Sequence, residues 1–315
     1  MKKRALRCVA AIVCALLLAT QVFARDLIPV GTAVGLEFGD GLIVTQLNSD
    51  EARASGLEPG DLIVAIDGQA VADVTGLRKL VACGDKQVQV TVIRKNRELT
   101  FPVCVREDQG ERQLGLYVRS GVAGIGTVTW YDPETGTFGA LGHGISDKSG
   151  NLIAVSGGRA VSATVIGVKT GQKGDPGKLQ GSYNPEATLG TITDNTRQGI
   201  FGTTETGFSG TAIPVAESCQ VTKGDAKILC NVTGDTVREY SVKILKIDPN
   251  SETRNLLIQV TDPALLSVTG GIVQGMSGSP IIQDGKLVGA VTHVLVNDPT
   301  TGYGIFIENM LDATS

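Results

Sequence analysis

Short runs of alternating apolar and polar residues, bounded by Gly, Asp and Asn, fill most of the chain after about residue 26. Segments such as QVQVTVIRKN and EYSVKILKI place Val, Ile and Thr at alternate positions, which is typical of strands with one buried face. Two stretches, Ser49 to Ala54 and Val74 to Cys83, are predicted to be helical. The pattern therefore predicts a mostly β protein with few helices.

The first 25 residues have a different pattern, in which Lys2, Lys3, Arg4 and Arg7 precede an apolar run that ends at Ala24. A basic start followed by an apolar run is typical of a secretory signal. As a helix this run would span about 25 Å, which is short of the ~30 Å hydrocarbon core of a membrane. We expect residues 1–25 to be a cleaved signal peptide or a signal anchor, and the rest to be exported across the cytoplasmic membrane.

Charge and cysteine content narrow the possible partners. The chain has 315 residues, enough for two domains, and its net charge of −4 comes without a basic stripe, so we expect no nucleic-acid partner. Cys219 and Cys230 flank a hairpin-like segment with its turn at residues 223–225, and a disulfide between them and two free thiols both stay open. No spacing of Cys or His suggests a metal, and we expect no cofactor.

The segment Ser55 to Gly68, SGLEPGDLIVAIDG, carries a family signature. It resembles a PDZ domain, which we expect at residues 26–106 as a small α+β domain. The resemblance implies that an extended peptide binds by adding a strand to a sheet edge. It places the backbone amides of Val34, Gly35 and Leu36 at the end of that peptide, although Glu37 stands where the family has a second glycine. A PDZ domain that only packs on its neighbour is the other interpretation.

Residues 107–113 are charged and poor in apolar residues, which predicts a linker. Residues 114–315 then alternate short Val, Ile and Thr runs with Gly-rich turns. Several strands at nearly regular spacing with few helices predict a second domain built as a β-barrel or sandwich.

The chain has only two histidines, His143 and His293, and an imidazole is the usual base for acyl transfer at neutral pH. Ser277 lies in the turn G-M-S-G-S-P between Gly275 and Gly278. These glycines let the backbone fold tightly, so the amides of Gly275 and Ser277 can converge as an oxyanion hole beside the Ser277 hydroxyl. The turn predicts a nucleophile at Ser277, and Ser279 is the alternative.

Two serine arrangements can be distinguished by the segment that comes after the turn. The nucleophile elbow of α/β-hydrolases needs G-x-S-x-G before a helix, whereas position 279 is Ser and the next segment reads as a hairpin. The chymotrypsin-like order of His, Asp and Ser fits better, with His143 upstream and an acid between. Asp262 is the best placed acid, after an apolar run and before Pro263. Its other interpretation is a cap at the strand end, and the remaining candidates are Asp194, Asp235 and Asp248.

The motif GALGHGI around His143, together with the C-terminal segment from GGIVQGMSGSP to IENML, resembles the stage IV sporulation protein B serine peptidase family. The resemblance implies a chymotrypsin-like double β-barrel peptidase domain after the PDZ domain. It implies catalytic roles for His143, Asp262 and Ser277, and a supporting hydroxyl at Thr292.

The resemblance also implies a cellular role. Enzymes of this family are exported and cleave a membrane-bound regulatory complex, which triggers intramembrane proteolysis and activates a late sigma factor during sporulation. The PDZ domain is implied to hold the peptidase inactive or to direct it to partners, in the intermembrane space of the developing spore. Self-cleavage is implied near the amino terminus, where only Arg25 to Val30 is expected to lie free. An exported PDZ scaffold without activity is the alternative function.

Overall fold

The computed structural model describes residues 25–71, 74–94, 97–108, 110–146, 150–153, 155 and 158–314. The expected signal segment therefore lies outside the described residues, except for Arg25. Within the described ranges, no helix combines the length and apolar character required to cross a membrane. The helices are α1 (Asp50–Ala54), α2 (Val74–Cys83), α3 (Pro263–Thr269) and α4 (Ile307–Asp312), with a 3-10 turn at Ser218–Gln220.

Strands make up most of the described chain, as the alternating pattern predicts. Both predicted helical stretches are confirmed, the first with Ser49 as its N-cap. The strands are β1 (Asp26–Pro29), β2 (Ala33–Leu47), β3 (Leu62–Ile66), β4 (Gln69–Ala70), β5 (Gln87–Arg94), β6 (Arg97–Cys104), β7 (Arg106–Asp108), β8 (Glu111–Gln113), β9 (Leu116–Tyr131), β10 (Thr137–Ala140), β11 (Gly158–Lys169), β12 (Lys178–Thr196), β13 (Gly199–Thr203), β14 (Ile213–Pro214), β15 (Gly224–Cys230), β16 (Arg238–Ile247), β17 (Leu256–Val260), β18 (Pro280–Gln283), β19 (Lys286–Leu295) and β20 (Asp298–Phe306).

Two closed six-stranded barrels form the larger part of the molecule. In the first barrel the strand order is β2, β9, β10, β13, β12 and β11, and the pairing of β11 with the first half of β2 closes the ring. In the second barrel the order is β15, β16, β17, β20, β19 and β18, closed by β15 with β18. Closure gives each strand of a ring a paired neighbour on both sides over part of its length and buries alternate side chains inside. This is the predicted double β-barrel.

The PDZ domain is built from the second half of β2, from β3 to β6, and from α1 and α2. Its apolar core is separate from those of the barrels and includes Leu57, Ile66, Leu77 and Val90. The predicted linker forms the two-stranded hairpin of β7 and β8 instead of an open connector.

The domain boundaries remain a prediction, but hydrogen bonding crosses them. β1 pairs with β14 and β9, so the segment expected to lie free before the PDZ domain is part of a sheet. Residues 33–37 at the start of β2 belong to the first barrel. The two long strands β2 and β9 therefore run together from the PDZ domain into that barrel.

This pairing corrects the expected peptide-binding role of Val34, Gly35 and Leu36. All three residues pair with β9 on one edge and with β11 on the other. Backbone amides inside a closed barrel are committed to its ladders, so they are not available to hold the end of a bound peptide. The sequence signal was misleading because one strand serves both domains.

The predicted hairpin between Cys219 and Cys230 does not form. Cys219 lies in the 3-10 turn, whereas Cys230 ends β15, which pairs with β16 and β18. Both are free thiols, the first exposed and the second fully buried, and burial raises the pKa of Cys230 to about 12. The open choice between a disulfide and free thiols is therefore resolved in favour of free thiols.

Candidate active site

The turn that carries Ser277 connects α3 to β18 and has two glycines in the left-handed region of φ. Gly275 has a φ of 102° and Gly278 a φ of 95°, values that residues other than glycine rarely adopt. Within the turn, the amide of Met276 donates to the Val273 carbonyl and the amide of Gly278 to the Val291 carbonyl. The amides of Gly275 and Ser277 have no acceptor among the described residues. These are the two amides that the sequence predicts for an oxyanion hole.

Contacts from the first barrel hold this turn in place. Thr127, on β9, donates its backbone amide to the Ser277 carbonyl at 3.0 Å and its Oγ1 to the Gly275 carbonyl at 2.8 Å. A Cβ added to Gly278 would collide with the Thr127 carbonyl and with the amide of Leu141. Gly278 therefore permits the turn of one barrel to dock against the backbone of the other.

His143 comes from the first barrel, in the loop after β10. Leu141 has a φ of 67°, and the amide of Gly142 donates to the Ala140 carbonyl, so this loop begins with a tight three-residue turn. A Cβ on Gly142 would press on Thr292 and Ile305 of the second barrel. The bend places the half-buried His143 in the cleft between the barrels.

The tautomer of His143 follows from its hydrogen bond. Nδ1 lies 2.9 Å from the Gly144 carbonyl oxygen, which can only accept, so Nδ1 carries the proton and Nε2 is left with a lone pair. Burial lowers the pKa of His143, and the bond to Gly144 offsets part of that shift. The imidazole is therefore neutral at pH 7 and suited to accept a proton.

Ser277 and His143 line the same cavity of about 400 Å³, to which both barrels contribute. The Ser277 hydroxyl donates to the Thr292 carbonyl at 2.6 Å, and no hydrogen bond joins it to an imidazole among the described residues. Thr292 was expected to support the site through its hydroxyl. That hydroxyl instead donates to the Tyr303 carbonyl, and the contact with Ser277 is made by the Thr292 backbone.

A second imidazole lies in the cavity, which sequence reasoning did not place there. The ring of His293 is centred 4.8 Å from that of His143, at 38° to it. Its pKa is lowered by burial and by the charges of His143 and Arg254. The sequence contains only two histidines, and this scarcity was the signal that could have placed His293 at the site. Both rings line the cavity.

Asp262 is not brought to the cavity. It is the N-cap of α3, where Oδ1 accepts from the amides of Ala264 and Leu265 and Oδ2 from that of Ser241. These bonds lower the pKa of Asp262 against the effect of its burial, and no contact with His143 is found in the described chain. The geometry therefore does not place Asp262 in the expected triad with His143 and Ser277. Asp262 instead caps a helix, which matches the capping interpretation of this residue.

The alternative nucleophile, Ser279, lies outside the cavity. Its side chain is fully buried and its hydroxyl donates to the Met276 carbonyl at 2.7 Å. The buried Met276 side chain belongs to the core of the second barrel. In the part of the chain that the structure describes, no cluster of three or more His, Cys, Asp or Glu residues is placed to hold a metal ion.

A PDZ domain joined to two barrels whose cleft holds a glycine-bounded serine and an imidazole defines a PDZ-containing double-barrel peptidase. The model of the family described as SpoIVB peptidase S55 matches residues 110–311, and the PDZ domain model matches residues 25–105. Because the first match covers well over half of the chain, the protein belongs to the SpoIVB peptidase S55 family.

Individual proteins are similar over shorter stretches or at low identity. A curated protein of Agrobacterium fabrum, the putative zinc metalloprotease Atu1380, is 26% identical over 164 residues, which are 50% of this chain and 42% of that protein. The chain thus spans less than half the length of this curated relative.

Two kinds of solved structure are also similar. The active form of the Rv3671c protease from M. tuberculosis shares 16% identity over 60% of this chain and 71% of its own, with a TM-score of 0.34. The PDZ domain of the SdrC-like protein from Listeria monocytogenes shares 21% identity over 25% of this chain and 88% of its own, with a TM-score of 0.24. The double-barrel fold itself rests on the strand pairing.

Proposed function

We propose that this peptidase is a serine endopeptidase with Ser277 as its nucleophile and His143 as its general base. One observation carries the proposal: a hydroxyl lies beside two amides that have no acceptor in the described ranges, in a cavity that also holds a neutral imidazole from the opposite barrel. Together they supply the nucleophile, base and oxyanion donors that acyl transfer needs.

The reaction begins when the Ser277 hydroxyl turns from the Thr292 carbonyl towards Nε2 of His143. Such bonds are often long or absent before the substrate binds, so the resting geometry is compatible with this step. Nε2 takes the hydroxyl proton as Oγ attacks the scissile carbonyl, and the Gly275 and Ser277 amides hold the oxyanion. The Gly144 carbonyl orients the imidazole in place of a carboxylate.

The substrate is proposed to bind as an extended strand along β19. The ladder between β18 and β19 ends at Ala290, while Thr292, His293 and Val294 line the cavity. A peptide added along this stretch would pass beside Ser277, held by main-chain hydrogen bonds of the kind that strand addition supplies. This supports cleavage within a protein chain.

For the cellular role, we propose that the protein is exported and cleaves a membrane-associated regulatory protein during sporulation. This cleavage would trigger intramembrane proteolysis and then activate a late sigma factor. Self-cleavage near the amino terminus is a separate part of the proposal. The family membership and the basic, apolar amino-terminal segment support this proposal. The PDZ domain supports binding of a protein or peptide partner.

The test is covalent labelling with a fluorophosphonate probe, followed by peptide mapping. We expect the label on Ser277, and loss of both labelling and proteolysis in Ser277→Ala by a factor of about 10⁴ or more. Ser279→Ala is the matched control and should still be labelled. Wild-type labelling kinetics in Ser277→Ala would contradict the proposal, and a folded but unreactive wild-type protein would favour the scaffold without activity.

A further inference from the structure

The hairpin that joins β11 and β12 reaches from the first barrel onto the second. Its tip, residues 170–177, makes two backbone hydrogen bonds to that barrel's side of the molecule. The Gly171 amide donates to the Thr269 carbonyl at 2.8 Å. The Gly174 amide donates to the Val296 carbonyl, also at 2.8 Å. The tip is therefore docked at the end of α3 and just past the end of β19.

The residues that follow the tip hold both backbone groups of Gln274, shortly before the proposed nucleophile. The Gln274 amide donates to the Gly177 carbonyl at 3.3 Å, and the Gln274 carbonyl accepts from the Leu179 amide at 2.8 Å. These bonds surround an isolated parallel bridge between Lys178 and Gln274. A strand of the first barrel thus supports the backbone where the chain enters the Ser277 turn.

One of these bonds sets the direction of a proposed oxyanion donor. The Gln274 carbonyl and the Gly275 amide belong to the same planar peptide unit, in which the C=O and the N–H point in opposite directions. Leu179 is buried, whereas Gln274, Gly275 and Ser277 line the cavity. With its carbonyl bound to the Leu179 amide, this peptide turns its N–H away from the buried side and towards the cavity.

The residue type at position 275 makes this support necessary. Gly275 has a φ of 102°, and because glycine accepts positive and negative φ almost equally, it does not by itself prevent the peptide from turning over. The second proposed donor is held differently. The Met276 carbonyl, which shares a peptide with the Ser277 amide, accepts from the Ser279 amide at 3.0 Å. One donor is therefore set inside the turn and the other by the opposite barrel.

We propose that Gly177 and Leu179 are positioning residues of the oxyanion hole, and that they act through the Gln274–Gly275 peptide. While the hairpin is docked, this peptide presents its N–H to the oxyanion. When the hairpin moves away, the peptide can turn over, and one donor is lost while the nucleophile and the base keep their own contacts. The inference rests on the proposed function, and it predicts a loss in the rate of acyl transfer without a loss in binding.

The first test compares two glycines that lie where the barrels meet. A Cβ on Gly177 would collide with the Lys169 carbonyl and the Gly171 amide, so in Gly177→Ala the residues after the tip must shift. Gly234 pairs with Val165 of the same hairpin and has a φ of 62°, close to the 69° of Gly177, but its Cβ would meet open space. Gly234→Ala is therefore the matched control for backbone strain.

The measurement is the labelling rate as a function of fluorophosphonate probe concentration. We expect Gly177→Ala to lower the maximal rate by at least about tenfold and by up to about 10³, the loss of one oxyanion donor, with the half-saturating probe concentration unchanged within about twofold. Gly234→Ala should label like wild type. The pH midpoint of labelling should stay at its wild-type value, because the contacts of His143 are not altered.

Wild-type labelling in Gly177→Ala, or equal losses in both variants, would overturn the inference. A shifted pH midpoint would also overturn it, since the variant would then act on the base. If the wild-type protein showed no labelling that depends on Ser277, the proposed function would fail as well, so the two failures can be told apart.

An amide-to-ester replacement tests the central hydrogen bond where Gly177→Ala fails to fold. The α-hydroxy analogue of leucine at position 179, introduced by nonsense suppression, keeps the side chain and replaces the donor N–H by an oxygen that repels the Gln274 carbonyl. The α-hydroxy analogue of valine at position 165 is the control, because the Val165 amide donates to the Gly234 carbonyl at 3.1 Å and also joins the two barrels. We expect the ester at Leu179 to lower the maximal labelling rate at least about tenfold and the ester at Val165 to leave it unchanged. A wild-type rate with the ester at Leu179 would overturn the inference.

Discussion

The two halves of the candidate site are built in different ways. The half in the second barrel is a compact turn in which Gly275, Ser277 and Gly278 are almost adjacent, and that local geometry leaves two amides without an acceptor among the described residues. The half in the first barrel is His143, whose position depends on the bend at Leu141 and on packing against the opposite barrel. A local motif can therefore specify the proposed nucleophile, whereas the position of the proposed base depends on distant contacts.

The comparison extends to how each half is supported. The Ser277 turn is held by Thr127 from the other barrel, through bonds to its carbonyl oxygens, and the amides of the proposed oxyanion hole have no acceptor in the described part of the chain. Among the described residues, the Gly144 carbonyl is the one hydrogen-bond partner of the His143 ring, where serine peptidases commonly have a carboxylate. A neutral acceptor fixes the tautomer, but it stabilises the imidazolium less than a charge would.

The largest expected effect comes from removing the base. His143→Ala should lower the rate of Ser277 labelling and of peptide hydrolysis by about 10⁴ or more, because no other described group is placed to take the hydroxyl proton except His293. His293→Ala is the comparison and should cost far less. If the two variants lost activity equally, the assignment of the base to His143 would be wrong.

The next effect concerns the docking of the two halves. Gly278→Ala adds a methyl group against the Thr127 carbonyl and strains a φ of 95°, so the turn must move. We expect at least about a hundredfold loss of labelling rate, since a displacement near 1 Å at a reacting group can cost that much.

Gly285→Ala is the matched control for Gly278→Ala. Gly285 has a φ of 76° but would place its Cβ in open space. This variant should lose about 1–2 kcal/mol of stability from backbone strain while keeping its activity. Measuring thermal unfolding together with the labelling rate separates the loss of stability from the loss of activity. Equal losses of activity in Gly278→Ala and Gly285→Ala would show that the contact between the barrels at Gly278 does not control activity.

A smaller effect is expected in the pH profile. His143 acts as a base only when deprotonated, and its lowered pKa moves the acid limb of activity below the ordinary histidine value of about 6.5. Activity should therefore be complete near pH 7 and fall as pH decreases below 6.5. Labelling rates from pH 4 to 8 would measure the limb, and a midpoint above 6.5 would contradict this prediction.

His293→Gln sharpens the pH prediction. His143 faces His293, whose other charged neighbour is Arg254. Because the pKa of His293 is lowered to about 4, His293 is uncharged over most of the range in which His143 titrates, and its replacement should move the midpoint by less than about one unit. A shift downward would mean that His293 stabilises the charged form of His143.

The smallest effect on activity is expected at Asp262. Asp262→Ala removes the N-cap of α3 and should cost about 0.5–2 kcal/mol of stability, whereas Asp262→Asn keeps an oxygen acceptor and should cost little. Both variants should retain activity, because the carboxylate has no contact with His143. A loss near 10⁴ in a stably folded Asp262→Asn would restore Asp262 to a catalytic triad.

Much of this molecule was predictable from local pattern. Alternating Val, Ile and Thr runs predicted the strands, the segment from Ser55 to Gly68 predicted the PDZ domain, and the glycines around Ser277 predicted a tight turn with free amides. Each of these depends on residues close together in the chain, where propensity and turn geometry act directly.

The errors came from features that depend on pairing between distant residues. Val34, Gly35 and Leu36 match a PDZ loop, but long-range ladders place them inside a barrel. Asp262 has the spacing of a triad member, but Ser241 and the start of α3 take all of its hydrogen bonds.

The sequence by itself determined which residue types were available: a glycine-bounded serine turn at Ser277, two histidines and a PDZ signature. Tertiary structure alone decided that both histidines lie in one cavity with that serine, that a backbone carbonyl orients one of them, and that strand β9 pairs with β2 in the PDZ domain and in the first barrel before reaching the Ser277 turn. The physical reason is that strand register and barrel closure are set by the summed burial and hydrogen bonding of the whole sheet, which no short window of sequence contains.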